Sequence, residues 1–171
     1  MQPVLEHCAN CGRCCNRFAV CVTHKDVQRL ADFLKIHPRE FLELNEDSNE
    51  KTRAFPALLV DGRKCILCLK RRKNEHCLFF KHAKGCAVYE ARSAVCRVYP
   101  FERGENGEIR FMESAQCAER WEIGEEEKKR AARDIGEYER ALGEFREIAE
   151  KWNNRGGSFE ELLQLLLGKK S

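Results

Sequence analysis

The 171-residue chain lacks any apolar run that approaches the roughly 18 residues of a membrane span, although 43% of its residues are hydrophobic. We also expect no secretory signal, because Cys8 follows Met1 too closely for a charged segment, an apolar segment and a cleavage site. We therefore expect a soluble protein of the cytoplasm. Thiols are kept reduced in that compartment, so a framework of structural disulfides is disfavoured.

The signatures of several enzyme classes are missing as well. No glycine-rich loop of the dinucleotide-binding type follows a predicted strand, and the C-x3-C-x2-C spacing of radical S-adenosylmethionine enzymes does not occur. Nothing resembles a Ser/His/Asp triad or a pair of catalytic carboxylates. The residues therefore identify no catalytic group, and whether the chain is an enzyme stays open.

Cysteine, in contrast, is abundant, with 11 residues in the chain. Four of them occur in C-A-N-C-G-R-C-C, which runs from Cys8 to Cys15. This C-x-x-C-x-x-C spacing lets one tight loop direct three sulfurs at one point, and Gly12 lets the backbone turn at low steric cost. The odd number of cysteines also fits poorly with complete disulfide pairing. The cluster therefore predicts metal ligation.

A second group of cysteines lies far along the chain, at Cys77, Cys86 and Cys96. If both groups bind the same metal centre, ligation closes a long loop that a modest core would not hold alone. The formal charge of +3 counts every thiol as neutral. Eight thiolates around two divalent ions would bring it to about −1, so the mild basicity is no argument for a nucleic-acid partner.

The remaining sequence predicts an α+β fold, with a cysteine-rich metal-stapled domain over residues 1–120 and a C-terminal helical extension over residues 121–171 that packs on it. Thr23 and Asp26 form a predicted N-terminal cap, and an Asp-Gly turn at Asp61 and Gly62 is typical of a β-hairpin. The predicted elements are a helix from Thr23 to near His37, a short helix from Pro38 through Leu44, a polar loop from Asn45 to Arg53, hairpin strands over 54–60 and 64–69, a strand over 109–112, a long helix over 125–152, and a last helix capped by Ser158 and Glu161.

The two cysteine segments together resemble a known family. C-A-N-C-G-R-C-C, followed by C-x8-C-x-V-Y-E-x-R-x3-C-R-V-Y-P-F, is similar to the YkgJ-like CxxCxxCC cysteine-cluster family, a zinc- or iron-chelating domain. The resemblance covers roughly Cys8 to Cys117, and Ser93 departs from it where the family usually has proline. It implies metal ligands at Cys8, Cys11, Cys14, Cys15, Cys77, Cys86, Cys96 and Cys117, with Arg92 and Arg97 near the sulfurs, where each either neutralises thiolate charge or forms an ordinary ion pair.

Several alternatives stay open from the sequence. All-sulfur ligation suits zinc and an iron–sulfur cluster, such as a 4Fe-4S cluster, equally well. The neighbours Cys14 and Cys15 cannot easily reach one ion together, so two nearby sites, or one ligand and one structural thiol, are both compatible with the motif. Cys65 and Cys68 fall on opposite faces of a regular strand, which favours a structural or accessory role, and the role of Cys21 is open.

The function that these residues predict is metal binding with a structural, redox or accessory role and a protein partner or protein substrate. The resemblance extends to flagellin lysine-N-methylase, which implies a methyltransfer reaction linked to S-adenosylmethionine as the alternative. A nucleic-acid-binding role for the basic stretch Lys70–Lys73 is the least supported of the three. The oligomeric state cannot be read from the sequence.

Overall fold

The structure, a computed structural model, describes residues 11–47, 55–73, 75–82, 84–117 and 120–168. Cys8, residues 48–53 of the predicted polar loop and residue 54 of the predicted first hairpin strand lie outside these ranges. The chain forms two compact units, which we call the cysteine unit (Met1–Val20 and Arg71–Glu139) and the sheet unit (Cys21–Lys70 and Arg140–Ser171). The division at residue 120 that the sequence suggested stays a prediction.

Helices and small antiparallel sheets are both present, which confirms the predicted α+β class. The helices are α1 (Arg13–Arg17), α2 (His24–Leu34), α3 (Ala94–Val98), α4 (Glu125–Arg155) and α5 (Phe159–Leu166), with single 3-10 turns at Pro38–Glu40 and Tyr89–Ala91. The strands are β1 (Leu42–Glu46), β2 (Leu58–Val60), β3 (Arg63–Leu69), β4 (Phe80–Lys81), β5 (Gly85–Cys86), β6 (Phe101–Arg103) and β7 (Ile109–Phe111).

The sheet unit is built on an antiparallel sheet with the strand order β1-β3-β2. The predicted hairpin between β2 and β3 is confirmed, because Asp61 and Gly62 form its two-residue connection. Both residues have positive φ, of 50° and 76°, as a type I′ turn requires. That turn matches the twist of the flanking strands and so fixes their register.

Helix α2 begins where the sequence predicted it. The carboxylate of Asp26 accepts hydrogen bonds from the backbone N–H of Thr23 at 2.9 Å and from its hydroxyl at 3.0 Å. This capping box satisfies donors that the first helical turn leaves unpaired. Val27 and Leu30, on the apolar face of the helix, are completely buried.

From Arg140 onward, the C-terminal helical pair packs within the sheet unit. Leu142, Phe145 and Trp152 form the predicted apolar stripe of α4 and are buried. The indole N–H of Trp152 donates a 2.8 Å hydrogen bond to the carbonyl of Leu59 in β2. Helix α5 begins at the predicted capping box of Ser158 and Glu161 and packs against α2.

The prediction of a short helix from Pro38 through Leu44 was wrong. Only one 3-10 turn forms at Pro38–Glu40, and the chain then enters β1, which pairs with β3 in the register Leu42↔Leu69. Leu42 and Leu44 are two residues apart, a spacing that also suits one face of a strand. Pairing with β3 therefore overrides the weak local helix signal, and the strand extends to Glu46 through the first residues of the predicted loop.

The described residues contain no helix that is both long and apolar enough to cross a membrane. Large apolar side chains are instead concentrated in one unit. Of the described residues, all the largest fully buried side chains, such as Phe41, Leu58 and Phe145, belong to the sheet unit. The sheet unit thus has an ordinary apolar core, and the cysteine unit has a smaller one around Phe101 and Ala131.

We expect the stability of the sheet unit to fall in mild acid because of His24. Its ring is buried, stacks on Phe145, and has Nε2 3.2 Å from a carboxylate oxygen of Glu144. Burial lowers the pKa of His24 below 6.5, and the charge of Lys25 lowers it further. The negative charges of Glu144 and Asp26 raise this pKa, but the net shift is downward. Since the unfolded chain then binds more protons near and below pH 6.5, the free energy of unfolding should decrease as the pH falls through that range.

Urea unfolding between pH 7.5 and 5, followed by Trp152 fluorescence after replacement of Trp121 with phenylalanine, measures this effect. His24→Phe, which keeps a ring against Phe145, should show a shallower loss of stability with acid. His37→Gln, at an exposed histidine, is the control and should keep the wild-type slope. Equal slopes in the wild type and His24→Phe would show that His24 is not the group responsible.

Candidate metal centre

The N-terminal cysteine segment turns at Gly12 and then forms the single helical turn α1. Gly12 has a φ of +62°, in the left-handed region, so the predicted need for glycine at this turn is confirmed. Cys14 and Cys15 lie on α1 rather than in an open loop. Their thiols are hydrogen-bonded to each other, which leaves both alternatives for this pair open.

Gly12→Ala should lower the free energy of unfolding by about 2–4 kcal/mol. Alanine is disfavoured in the left-handed backbone conformation of this position, and its methyl group would also overpack the site. A Cβ at this position would overlap the ring of Phe80. Gly107→Ala is the matched control, because Gly107 has a φ of +81° but no atom within 4 Å of an added Cβ. The difference in unfolding free energy between the two variants, measured by denaturant titration, gives the steric cost of the added methyl group at Gly12. An equal loss of stability in both variants would contradict the close approach of Phe80.

The second cysteine segment is joined to the first by direct contacts. The backbone N–H of Cys77 donates a 2.8 Å hydrogen bond to the carbonyl of Cys15. The guanidinium of Arg71 donates to the carbonyl of Asn16. The rings of Phe18 and Tyr99 meet edge to face, with their centroids 5.9 Å apart. These contacts bring together two parts of the chain that are at least 55 residues apart in sequence.

Short elements then direct the later cysteines. Cys86 ends β5 and is paired with Phe80 of β4, and Cys96 lies on α3. Ser93, where the family usually has proline, precedes α3 with a φ of −57°, which is close to the value that proline imposes. The backbone at Ser93 therefore has a φ that proline would also adopt, and the buried Ser93 hydroxyl lies beside Cys96.

These elements surround a cavity of about 580 Å³. Its aromatic walls include Phe80, Tyr99 and Trp121, of which only Tyr99 was expected from the sequence to lie around the site. Of the eight cysteines predicted as ligands, six line the cavity: Cys11, Cys14, Cys15, Cys86, Cys96 and Cys117. Cys77 is buried beside it, and Cys8 lies outside the described residues.

The thiols of this cluster influence one another, with Cys14 at the centre. Hydrogen bonding from Cys15 lowers the pKa of Cys14 to about 7, and the positive charge of Arg92 contributes in the same direction. Burial raises the pKa of Cys96 to about 12, with a further contribution from the charge of Cys14. Burial also raises the pKa of Cys77, Cys86 and Cys117, and each of these thiols is affected by Cys14.

This electrostatic pattern has a chemical consequence. Several buried thiols that repel one another as thiolates are stabilised together only by a positive charge among them. Within the described ranges, no three Cys, His, Asp or Glu side chains are already close enough to hold a metal ion. The cysteines therefore share one cavity without forming a closed coordination shell.

The two arginines that the family resemblance highlighted have different surroundings. Arg92 lines the cavity, and its guanidinium lies 4.2 Å from the centre of the Tyr89 ring. Its charge lowers the pKa of both Cys14 and Cys86. Arg97 forms ion pairs with Asp134 at 3.3 Å and Glu137 at 3.0 Å on α4.

The other described cysteines, Cys21, Cys65 and Cys68, belong to the sheet unit. Cys65 and Cys68 are both 2% exposed, and on β3 they pair with different partners. No sequence pattern predicts that Cys21 lies opposite Cys68, because only the pairing of distant segments brings them together.

A small α+β domain with cysteines from two remote segments around one cavity has the donor atoms with which proteins chelate soft metal ions. The chain belongs to the CxxCxxCC family, described as "Putative zinc- or iron-chelating domain", whose model matches residues 7–119. The family description therefore supports metal binding.

A curated relative is the uncharacterized protein MJ0661 of Methanocaldococcus jannaschii, which is 31% identical over 114 residues. The match covers 64% of this chain and 52% of the relative, so the chain spans about half the length of that protein. No solved structure matches the chain.

Proposed function

We propose that this protein holds zinc or an iron–sulfur cluster through thiolates of both cysteine segments, in a structural, redox or accessory role toward a protein partner. The observation that carries the proposal is the shared cavity, to which α1, β5 and α3 each contribute at least one cysteine. The proposed ligands are Cys8, Cys11, Cys14, Cys15, Cys77, Cys86, Cys96 and Cys117.

The chemistry of the donor set fits such a group. Sulfur-only surroundings select zinc, copper(I) and iron–sulfur centres over magnesium or calcium. Zinc would supply a structural crosslink, whereas an iron–sulfur cluster would add one-electron chemistry. Arg92, beside Cys14 and Cys86, would offset the excess negative charge of bound thiolates.

Binding should draw the thiols inward, because the described cysteines are not yet gathered closely enough to coordinate an ion. Eight thiolates suffice for two four-coordinate ions or for one cluster with additional structural thiols. The neighbouring Cys14 and Cys15 would then belong to different ions, or one of them would remain a hydrogen-bond partner. A cytoplasmic location, where free thiols persist, is part of this proposal.

Anaerobic purification followed by iron, sulfide and zinc analysis tests the proposal. We expect either stoichiometric zinc in a colourless protein, or iron with matching acid-labile sulfide and visible absorption. A pure, folded protein that contains neither metal, and that takes up neither on reconstitution, would contradict it.

The cavity favours a second candidate function, a reaction linked to S-adenosylmethionine. Its volume of about 580 Å³ lies within the range of small-molecule pockets, and aromatic side chains form part of its walls. Calorimetric titration of the metal-loaded protein with S-adenosylmethionine tests this alternative. Saturable heat would support it, and the absence of detectable heat would leave the metal centre as the function of the cavity.

A further inference from the structure

Outside the proposed metal centre, Cys21 and Cys68 form a close pair of thiols in the sheet unit. The thiol of Cys68 donates a hydrogen bond to the sulfur of Cys21, with the two sulfur atoms 3.7 Å apart. The two residues also face each other across an isolated antiparallel bridge. They are 47 positions apart in sequence, so this pairing is created by the fold.

The hydrogen-bond pattern defines the geometry of the bridge. The backbone N–H of Val22 donates to the carbonyl of Leu67 at 3.1 Å. Val22 follows Cys21 and Leu67 precedes Cys68, so this hydrogen bond makes Cys21 and Cys68 a non-hydrogen-bonded pair of the antiparallel bridge. In such pairs the Cα atoms are about 4.5 Å apart and the side chains are closest to each other. This Cα distance lies within the range of about 4.4–6.8 Å that a disulfide can span.

The two thiols differ in access and in proton affinity. Cys68 is buried, and Cys21 is half-buried. Hydrogen bonding from Cys68 lowers the pKa of Cys21. The same contact, together with burial, raises the pKa of Cys68. Cys21 therefore has the properties of an attacking thiolate, and Cys68 those of a second thiol that reacts afterwards.

We propose that Cys21 and Cys68 form a reversible disulfide that responds to the thiol–disulfide poise around the protein, independently of the metal centre. The oxidant is a small-molecule disulfide of the glutathione type. The Cys21 thiolate attacks one of its sulfurs, the small disulfide bond breaks, and one small thiolate leaves. Cys68 loses its proton to solvent and attacks the Cys21 sulfur, which releases the second small thiolate. The two protein thiols lose two electrons, and the small disulfide gains them and takes up two protons as it becomes two thiols.

Cys65 provides a matched control on the same strand. It is as buried as Cys68, at 2% exposure, but its cross-strand neighbours are Glu46 and Leu58 instead of a cysteine. If burial on β3 alone made a cysteine reactive, Cys65 should be oxidised as Cys68 is. If the reaction requires a neighbouring thiol, Cys68 should be oxidised and Cys65 should remain reduced.

The test equilibrates the full-length, metal-loaded protein in glutathione buffers of increasing oxidising strength, then blocks free thiols and maps disulfide-linked peptides by mass spectrometry. We expect a loss of about 2 Da, the two hydrogens of one disulfide. The linked peptide should join Cys21 to Cys68, dithiothreitol should reverse the change, and metal content should stay constant. Cys65→Ala should behave like the wild type, whereas Cys21→Ser and Cys68→Ala should form no such link.

Three results would overturn the proposal. The first is that Cys21 and Cys68 remain fully alkylated at every redox potential at which the metal is retained. The second is a linked peptide that joins either residue to a cavity cysteine. The third is a disulfide that appears only in step with metal loss. Because the wild-type peptide map is decisive by itself, a variant that fails to fold leaves the test intact, and a protein found to contain no metal can still be tested for the disulfide.

Discussion

Cys14→Ser should lower the metal affinity of the protein by more than about 100-fold, beyond the effect typical of residues that only support a ligand. The charge of Cys14 acts on the thiols of Cys96 and Cys117, and hydrogen bonding from Cys15 lowers the pKa of Cys14 to about 7, which favours its thiolate near neutrality. Serine keeps the size of the side chain but does not provide a thiolate at neutral pH. Metal content after anaerobic purification, together with competition against a chromophoric chelator, measures the change.

The control for this variant is Cys65→Ala. Cys65 is buried in β3 of the sheet unit and does not line the cavity, so its loss should cost some packing but leave metal content unchanged. Wild-type metal content in Cys14→Ser, with wild-type affinity, would mean that Cys14 is not a ligand.

Removing the metal with a chelator under anaerobic conditions should destabilise the cysteine unit selectively. All the largest fully buried side chains among the described residues belong to the sheet unit, and strands β4 and β5 of the cysteine unit have two residues each. Short pairings of this kind are not stable alone. Structural zinc contributes an apparent binding free energy of about 10–16 kcal/mol in small peptides, which rivals the stability of a whole domain.

Hydrogen exchange measured by mass spectrometry resolves the two units in one sample. Protection in peptides from residues 11–20 and 75–117 should fall by at least about 100-fold, equivalent to about 3 kcal/mol, and should return when metal is restored. Peptides from α2 and β3 are the internal control and should keep most of their protection. Uniform loss across both units, or no loss in either, would contradict a metal that specifically supports the cysteine unit.

The elements that the sequence predicted correctly have strong local signals. Thr23 with Asp26 and Ser158 with Glu161 are capping boxes, in which a side chain three residues away satisfies the helix start. Asp61 and Gly62 adopt the positive φ values that a two-residue hairpin needs. In each case the decisive interaction lies within a few residues, so it is visible in the sequence itself.

The elements that the sequence did not predict depend on distant partners. Strand β1 forms because β3 offers a pairing edge, although Pro38 and the leucines that follow suggested a helix. The bridge between Cys21 and Cys68 likewise follows from strand pairing. The motif spacing predicted which cysteines to consider, but the contacts that join the two segments, such as Cys77 to Cys15 and Phe18 to Tyr99, have no local signature.

The most direct test of a shared thiolate centre is X-ray absorption at the metal edge of the anaerobically purified protein. We predict a first coordination shell of sulfur only, at about 2.3 Å if the metal is zinc. For an iron–sulfur cluster, an additional iron–iron shell should be present. A first shell of nitrogen or oxygen at about 2.0–2.2 Å would contradict the account.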